Sequence, residues 1–295
     1  MATKTAMITI AGRPNVGKST LTNYLVGEKI AIVSNKPQTT RNRICGIVTK
    51  GDTQFVFVDT PGFHKARTKL GDYMVNVTKS SIADVDLTVM MVEPIASIGP
   101  QEQGLIDQLK ASRCPVVLAI NKIDSVEKDI LLEVIALYSQ AADFAAIIPI
   151  SAKTGDGVED LLGLCEKYAQ EGPFLFPEDI TTDQPERQVM AEIIREKLLW
   201  TLDREVPHGT AVEITKFSER DNGIIDIDAT IYCEKASHKG IIIGKQGAML
   251  KKISSMARTD CEKFMGTRVY LTTWVKVKEN WRDSDFLVRN FGYRE

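Results

Sequence analysis

The sequence predicts an α/β protein, with a doubly wound domain on a mixed sheet followed by a smaller α+β domain. Three observations predict it. Residues 1–172 alternate short apolar runs (7–11, 44–48, 55–58, 87–92, 116–120 and 146–150) with helix-like segments. Near-continuous apolar strands suit a sheet buried on both faces. Residues 173–185, with Pro173, Pro177, Asp179 and Pro185 after Gly172, break that pattern and read as a linker. Beyond it, residues 186–279 carry a helix, a hairpin, a helix pair and a strand, and 280–295 form a tail. The length of 295 residues suits about two domains.

Bulk properties narrow the function. The net charge is −2, so no global field draws the chain to nucleic acid and any basic site must be local. The five cysteines, Cys45, Cys114, Cys165, Cys233 and Cys261, are scattered, odd in number and without a C-x-x-C pair. That usage suits reduced thiols in a cytosol rather than a disulfide framework or a zinc site. No run approaches the roughly 18 apolar residues of a membrane span, and the N-terminus lacks the apolar core of a signal peptide.

The first run, 7–11, reads as a buried strand and 19–26 as a helix. Between them Gly12-Arg13-Pro14-Asn15-Val16-Gly17-Lys18-Ser19 fits the G-x-x-x-x-G-K-[ST] phosphate-loop pattern. Glycines let successive N–H groups turn toward an anion, and the helix start adds the positive end of its dipole. Lys18 can reach the outer phosphates, and the Ser19 hydroxyl can bind Mg²⁺; Thr20 completes the nucleotide-binding set.

Runs 44–48 and 55–58 flank a turn at Lys50-Gly51-Asp52, so an antiparallel pair is expected. Run 55–58 leads into Asp59-Thr60-Pro61-Gly62, where a carboxylate at a strand end suits an outer-shell hold on Mg²⁺, usually through water, and Gly62 can bring its N–H to a terminal phosphate. Run 116–120 leads into Asn121-Lys122-Ile123-Asp124. Guanine presents two adjacent donors that one carboxylate, Asp124, accepts in a fork. Adenine presents a lone pair there instead. Lys122 can lay its stem along the base and Asn121 can brace the loop. Run 146–150 ends in Ser151-Ala152-Lys153, a backbone N–H of which can meet the guanine oxygen.

These motifs, in this order and each at a strand end, resemble those of a small GTPase domain with a Ras-like P-loop NTPase fold. The resemblance implies a Thr before the second strand that ligates Mg²⁺. Within Asn35-Lys36-Pro37-Gln38-Thr39-Thr40-Arg41, Thr40 is favoured over Thr39 because related families place this Thr directly before an Arg. Catalysis then rests on Lys18, Thr40, Gly62 and Asn15, and the metal set is Ser19, Thr40 and Asp59. Phe63 stands where Ras-like enzymes carry a Gln that orients water, so slow or assisted hydrolysis is expected. His64 adjoins it, although a lone loop His is more often just exposed. Asn15 resembles the Asn of potassium-stimulated GTPases, which implies K⁺ beside the phosphates.

Residues 186–202 read as an amphipathic helix with Met190, Ile193, Ile194, Leu198 and Leu202 on one face. Runs 211–217 and 223–232 flank a turn with Asn222-Gly223. The stretch 240–253 mimics a second phosphate loop. It lacks one spacer, however, and has Gln246 where Ser or Thr is required, so a second nucleotide site is rejected. It resembles the Gly-x-x-Gly loop of a type II KH domain instead, which clamps single-stranded RNA. Ile243, Gly244, Lys245, Gln246, Gly247, Lys251 and Lys252 are then the RNA-binding residues, within a local excess of Lys239, Arg258, Lys263, Arg268, Lys276 and Lys278. The aromatic-rich tail can pack on its domain or contact a partner.

A GTPase domain joined to a type II KH domain resembles the Era family, which Pro37-Gln38-Thr39-Thr40-Arg41 and Asp59-Thr60-Pro61-Gly62-Phe63-His64 fit closely. The resemblance implies a monomeric cytoplasmic GTPase, peripherally associated with the cell membrane. It binds GTP and GDP with Mg²⁺ and the 3′ region of 16S rRNA, and it assists maturation of the 30S ribosomal subunit. A nucleotide-gated RNA-binding scaffold with little hydrolysis is the alternative that Phe63 keeps open. An RNA-modifying enzyme lacks its catalytic Cys/His set here, and a small-molecule kinase has no use for Asn121-Lys122-Ile123-Asp124.

Overall fold

A computed structural model describes residues 2–36, 39–62, 68–83, 85–112 and 114–293, with Lys79, Ile82 and Ala83 described in backbone only. Phe63, His64, Pro37 and Gln38 lie outside the described residues. The chain divides into two compact units: residues 1–31, 40–65 and 74–183, and residues 32–39, 66–73 and 184–295.

The first unit is a sheet of strands β1 (Lys4–Gly12), β2 (Ile44–Lys50), β3 (Thr53–Asp59), β4 (Leu87–Val92), β5 (Val116–Ile120), β6 (Ala146–Pro149) and β7 (Gln170–Glu171). Its order is β2-β3-β1-β4-β5-β6, with β7 pairing β1. β1 is parallel to β3 and β4, β5 is parallel to β4 and β6, and β2 runs antiparallel to β3. The mixed sheet and its antiparallel pair match the sequence pattern. Between the strands the chain forms helices α1 (Lys18–Val26), α2 (Lys69–Ala83), α3 (Pro100–Ala111), α4 (Lys128–Ala141) and α5 (Val158–Glu166). Alternation along each strand feeds two cores. Ile8, Ile10, Val89, Met91 and Ala119 face one cluster, with Leu21 of α1 and Leu161 of α5. Met90, Val92, Leu118 and Ile120 face the other, with Leu105 of α3 and Val134 of α4. Helix α3 starts where Pro100 follows the N-cap Gly99 and Glu102 accepts the Gly99 N–H at 2.8 Å, which satisfies one of the orphan donors there.

Residues 173–182, within the stretch 173–185 that the sequence marks as a linker, bond to β1, β2 and β3 of this sheet. Gln54 accepts the N–H groups of Leu175 and Phe176 at 2.9 and 3.0 Å, Thr5 donates to the Pro173 carbonyl at 3.1 Å, and Gly46 bridges Thr182. The segment thereby covers the open side of β2, an edge that is otherwise exposed to mispairing.

The second unit contains α6 (Glu186–Thr201), β8 (Ala211–Glu219), β9 (Ile225–Cys233), α7 (Ala236–Ile243), α8 (Ala248–Met265), β10 (Val269–Val277) and α9 (Asp285–Asn290). Its sheet order is β10-β9-β8, with β8 antiparallel and β10 parallel to β9. Met190, Ile193, Ile194, Leu198 and Leu202 are buried together with Ile253, Ala257 and Cys261 of α8. Residues 32–39 also belong to this unit. Glu196 Oε1 accepts the Val33 N–H at 2.8 Å, Trp200 Nε1 donates to the Val33 carbonyl at 2.8 Å, and Arg195 donates to the Thr39 carbonyl.

The tail packs onto its own unit. Trp281 is fully buried, donates Nε1–H to the Gly209 carbonyl at 2.9 Å, and meets Phe291 edge-on. Trp281→Ala is expected to destabilise this unit by roughly 3–5 kcal/mol, the range for emptying a large aromatic site. Chemical denaturation followed by circular dichroism would show it. An unchanged midpoint would mean that the tail adds nothing to the core.

Candidate functional site

The motifs of the first unit converge because β1, β3, β5 and β6 share one sense and end on one edge of the sheet. Strand order reverses at β1, the point where open α/β sheets bind ligands. The phosphate loop, 12–19, leaves β1 and enters α1. Lys18 is buried, and its Nζ donates to the carbonyls of Gly12 at 3.2 Å and Arg13 at 2.9 Å. Burial lowers the Lys18 ammonium to about 8, against the opposing attraction of Asp59. A phosphate would restore what burial removes, since an anion favours the charged amine.

Ser19, Thr40 and Asp59 come together from α1, the segment before β2, and the end of β3. Ser19 Oγ lies 2.7 Å from Asp59 Oδ2 and 2.9 Å from Thr40 Oγ1, and Thr40 Oγ1 lies 3.3 Å from Asp59 Oδ2. Asp59 is fully buried, and burial raises its carboxyl above the usual carboxylate range. Its Oδ1 is buried without a hydrogen-bond partner among the described residues. Three hard oxygen donors with one orphaned carboxylate oxygen fit Mg²⁺, which takes few protein ligands and leaves the rest to phosphate and water. The Thr60 hydroxyl donates to the Ile10 carbonyl at 3.1 Å and ties the end of β3 to β1.

Gly62 lies directly against the phosphate loop at Pro14. A Cβ on Gly62 would stand 2.7 Å from Pro14 N and 2.8 Å from Pro14 Cα, both backbone atoms. Gly62→Ala is therefore expected to keep GDP binding and lower the rate of GTP hydrolysis by about 100-fold, the scale seen when a preorganised backbone donor is lost. Single-turnover hydrolysis with a parallel GDP titration measures both. Wild-type hydrolysis by the variant would show that the close approach is unnecessary.

The loop Asn121-Lys122-Ile123-Asp124 is braced to the phosphate loop. Asn121 Nδ2 donates to the Val16 carbonyl at 2.7 Å, while its Oδ1 accepts the Ala152 N–H at 2.9 Å. Lys122 Nζ donates to the Asn15 carbonyl at 2.9 Å. Asp124 is exposed, and its Oδ1 accepts from Ser151 Oγ at 2.8 Å. Lys153 follows Ala152 in the same loop and is exposed. Asn15 is exposed and holds a left-handed φ of 67°. Sequence reasoning missed Glu93, which pairs with both Arg13 and Lys122. Its one signal was its place directly after the run 87–92, as Asp59 follows 55–58 and Asn121 follows 116–120.

In the second unit Gly244-Lys245-Gln246-Gly247 joins α7 to α8. Gly244 takes φ 72°, and a Cβ there would stand 2.7 Å from Met249 Cβ, so only glycine fits. Gln246 also holds a left-handed φ of 51°. Lys245, Gln246, Lys251 and Lys252 are exposed, while Ile243 is half-buried and Ile253 anchors α8 in the core. A small-residue turn with exposed lysines at the start of a helix can admit a phosphodiester backbone.

Residues 7–122 match the family described as 50S ribosome-binding GTPase, and residues 205–282 match the KH domain family. The chain is 54% identical over 294 residues to the GTPase Era of Ruminiclostridium cellulolyticum, covering 100% of this chain and 99% of that relative. It resembles the crystal structure of Era in complex with MgGDPNP and nucleotides 1506–1542 of 16S ribosomal RNA. The TM-score there is 0.94 at 37% identity, covering 99% of this chain and 100% of that one. It resembles equally the crystal structure of a single-substitution variant of Aquifex aeolicus Era bound to GDP and aluminium fluoride, with TM-score 0.94, 37% identity and the same coverage.

Proposed function

The chain belongs to the Era family of GTPases, and on that premise we propose that it is a nucleotide-gated clamp on ribosomal RNA. It grips the 3′ region of 16S rRNA through its second unit, and so assists maturation of the small ribosomal subunit. Support comes from the relative that holds MgGDPNP and a 16S rRNA segment together, and from the two ligand chemistries present in this chain.

Backbone N–H groups of residues 15–20 surround the phosphates, and Lys18 supplies the charge at the β and γ oxygens. Ser19, Thr40 and Asp59 hold Mg²⁺, which neutralises phosphate charge when bound. Gly62 donates to the terminal phosphate. Asp124 reads guanine, and Lys122 lies along its face. Because Asn121 takes the Ala152 N–H, the Lys153 N–H serves the guanine oxygen. Ile243, Gly244, Gly247, Lys245, Gln246, Lys251 and Lys252 take the RNA backbone. Asn15 assists a K⁺ ion, whose role predicts faster turnover in K⁺ than in Na⁺ buffer. The protein is a monomer of the cytoplasm with a peripheral association at the inner face of the cell membrane.

One observation carries the gating. Val33 and Thr39 are hydrogen-bonded to α6 within the second unit, and the residue after Thr39 is Thr40, beside Ser19 and Asp59. A ligand that repositions Thr40 therefore pulls on a segment that α6 holds. To change RNA affinity tenfold, GTP must favour the competent arrangement by about 1.4 kcal/mol. Titrating a 3′ 16S rRNA fragment into the apo, GDP-bound and non-hydrolysable-analogue forms tests it. The analogue form is expected to bind about tenfold tighter. Equal affinity in all three states would leave two unconnected binders.

A further inference from the structure

The phosphate loop and the guanine-reading loop rise from different strands, β1 and β5, yet a chain of alternating charges joins them. Glu93 directly follows β4, which lies between those strands in the sheet. One carboxylate oxygen, Oε2, accepts from Arg13 Nη2 of the phosphate loop at 3.1 Å. The other, Oε1, accepts from Lys122 Nζ of the base-reading loop. Arg13 Nε also lies 2.8 Å from Glu102 Oε1 as an ion pair. The second oxygen of Glu102 is fixed on the Gly99 N–H at the start of α3, and its side chain is 6% exposed. The row Glu102, Arg13, Glu93, Lys122 thus runs from an anchored helix end across the phosphate loop to the base loop. Glu93 sits at its centre and contacts both loops.

We propose that Glu93 is a positioning residue that holds the two loops at the spacing of a nucleoside diphosphate or triphosphate, and so sets its residence time. It acts through Arg13 and Lys122 rather than on the nucleotide. A ligand that spans two subsites leaves when either one opens. A single carboxylate that ties both loops slows that opening for GDP and GTP alike. The neutral Asn121 bridge to Val16 fixes the roots of the same loops, whereas the Glu93 pairs fix their outer, charged side chains. This inference rests on the reading of the first unit as a guanine-nucleotide site and is independent of RNA binding.

The test is the release rate of a fluorescent GDP and a fluorescent non-hydrolysable GTP analogue from the full chain with Mg²⁺. Wild-type binding is the control for the nucleotide reading itself. Glu93→Gln keeps the shape and removes the charge. It is expected to speed both releases about tenfold, the worth of one charge-assisted hydrogen bond, and to raise KM while kcat holds. Glu93→Asp, which keeps the carboxylate, is expected to fall between. Arg13→Gln breaks one arm only and is expected to give a smaller rise. The double variant is expected to fall short of the product of the two single effects, because both break the same pair. Wild-type release from Glu93→Gln, independent multiplication in the double variant, or a fall in kcat at constant KM would each overturn the proposal. Should Glu93→Gln fail to fold, Glu93→Asp and Arg13→Gln decide it, and wild-type release from both overturns it.

Discussion

Asp124→Asn is expected to cut GTP affinity about 100-fold and to transfer preference to xanthosine triphosphate. On the proposed reading the carboxylate accepts both the N1–H and the 2-amino protons of guanine. Each such bond to a charged acceptor contributes roughly 1.5–3 kcal/mol, and about 3 kcal/mol corresponds to about 100-fold. The asparagine amide turns one acceptor into a donor, which opposes the guanine 2-amino group. Xanthine carries an oxygen at that place, and the amide matches it. Geometry favours a clean result. Asp124 is exposed and is oriented by Ser151 Oγ at 2.8 Å, and Ser151 is itself fixed where its N–H donates to the Asp156 carbonyl at 2.8 Å. An exposed substitution of this kind moves stability by less than about 0.5 kcal/mol, so an unchanged thermal midpoint accompanies the switch. Competitive titration of the two triphosphates measures it. An unaltered ratio would remove Asp124 from base reading.

That switch can be planned from sequence because the chemistry of each motif dictates residue types at a strand end. A phosphate loop needs its glycines and its lysine, and a guanine reader needs a carboxylate. Burial on both faces then writes the strands as apolar runs, and so the doubly wound sheet was legible. Contacts made by backbone or by long charged side chains were not. Gln54 and the N–H groups of Leu175 and Phe176 tie residues 172–183 to the sheet, but a proline-rich stretch looks the same whether it is tied or loose. Arg195, Glu196 and Lys197 fall outside the apolar stripe of 186–202, yet all three are buried. Lys197 Nζ lies 2.7 Å from Glu196 Oε2, pairs with Asp260, and sits 3.7 Å from the Trp200 ring centroid. Buried ions persist only when paired, and pairing across 63 positions of sequence leaves no local signal. Trp281 was undecided for the same reason, since its partner Gly209 lies 72 positions away. Glu93 escaped notice because it bridges two loops without itself belonging to a motif.

The same logic gives the second large effect. Replacing Lys245 and Gln246 together by glutamate is expected to lower affinity for the 3′ rRNA fragment by at least about 100-fold. Two contacts near a phosphodiester, each worth about 1.5 kcal/mol when charge-assisted, sum to that loss before repulsion is added. Salt dependence separates this from a general loss of structure. Each lysine that neutralises a phosphate of a single strand contributes about −0.7 to the slope of log affinity against log salt. The double variant is therefore expected to lose roughly that much of the slope, whereas a partly unfolded domain would lose binding at every salt concentration. The loop can carry these changes because Lys245 and Gln246 are exposed and the turn is set by Gly244, at φ 72° with its backbone against Met249. Gln246 already holds a left-handed φ of 51° as a side-chain-bearing residue, so glutamate adds charge there without a new backbone demand. Fluorescence anisotropy with a labelled RNA over a salt series reads both quantities, and GDP binding by the same sample verifies the first unit. Full RNA affinity with both acids in place would move the RNA site away from this loop and leave residues 243–252 as a solvated helix junction.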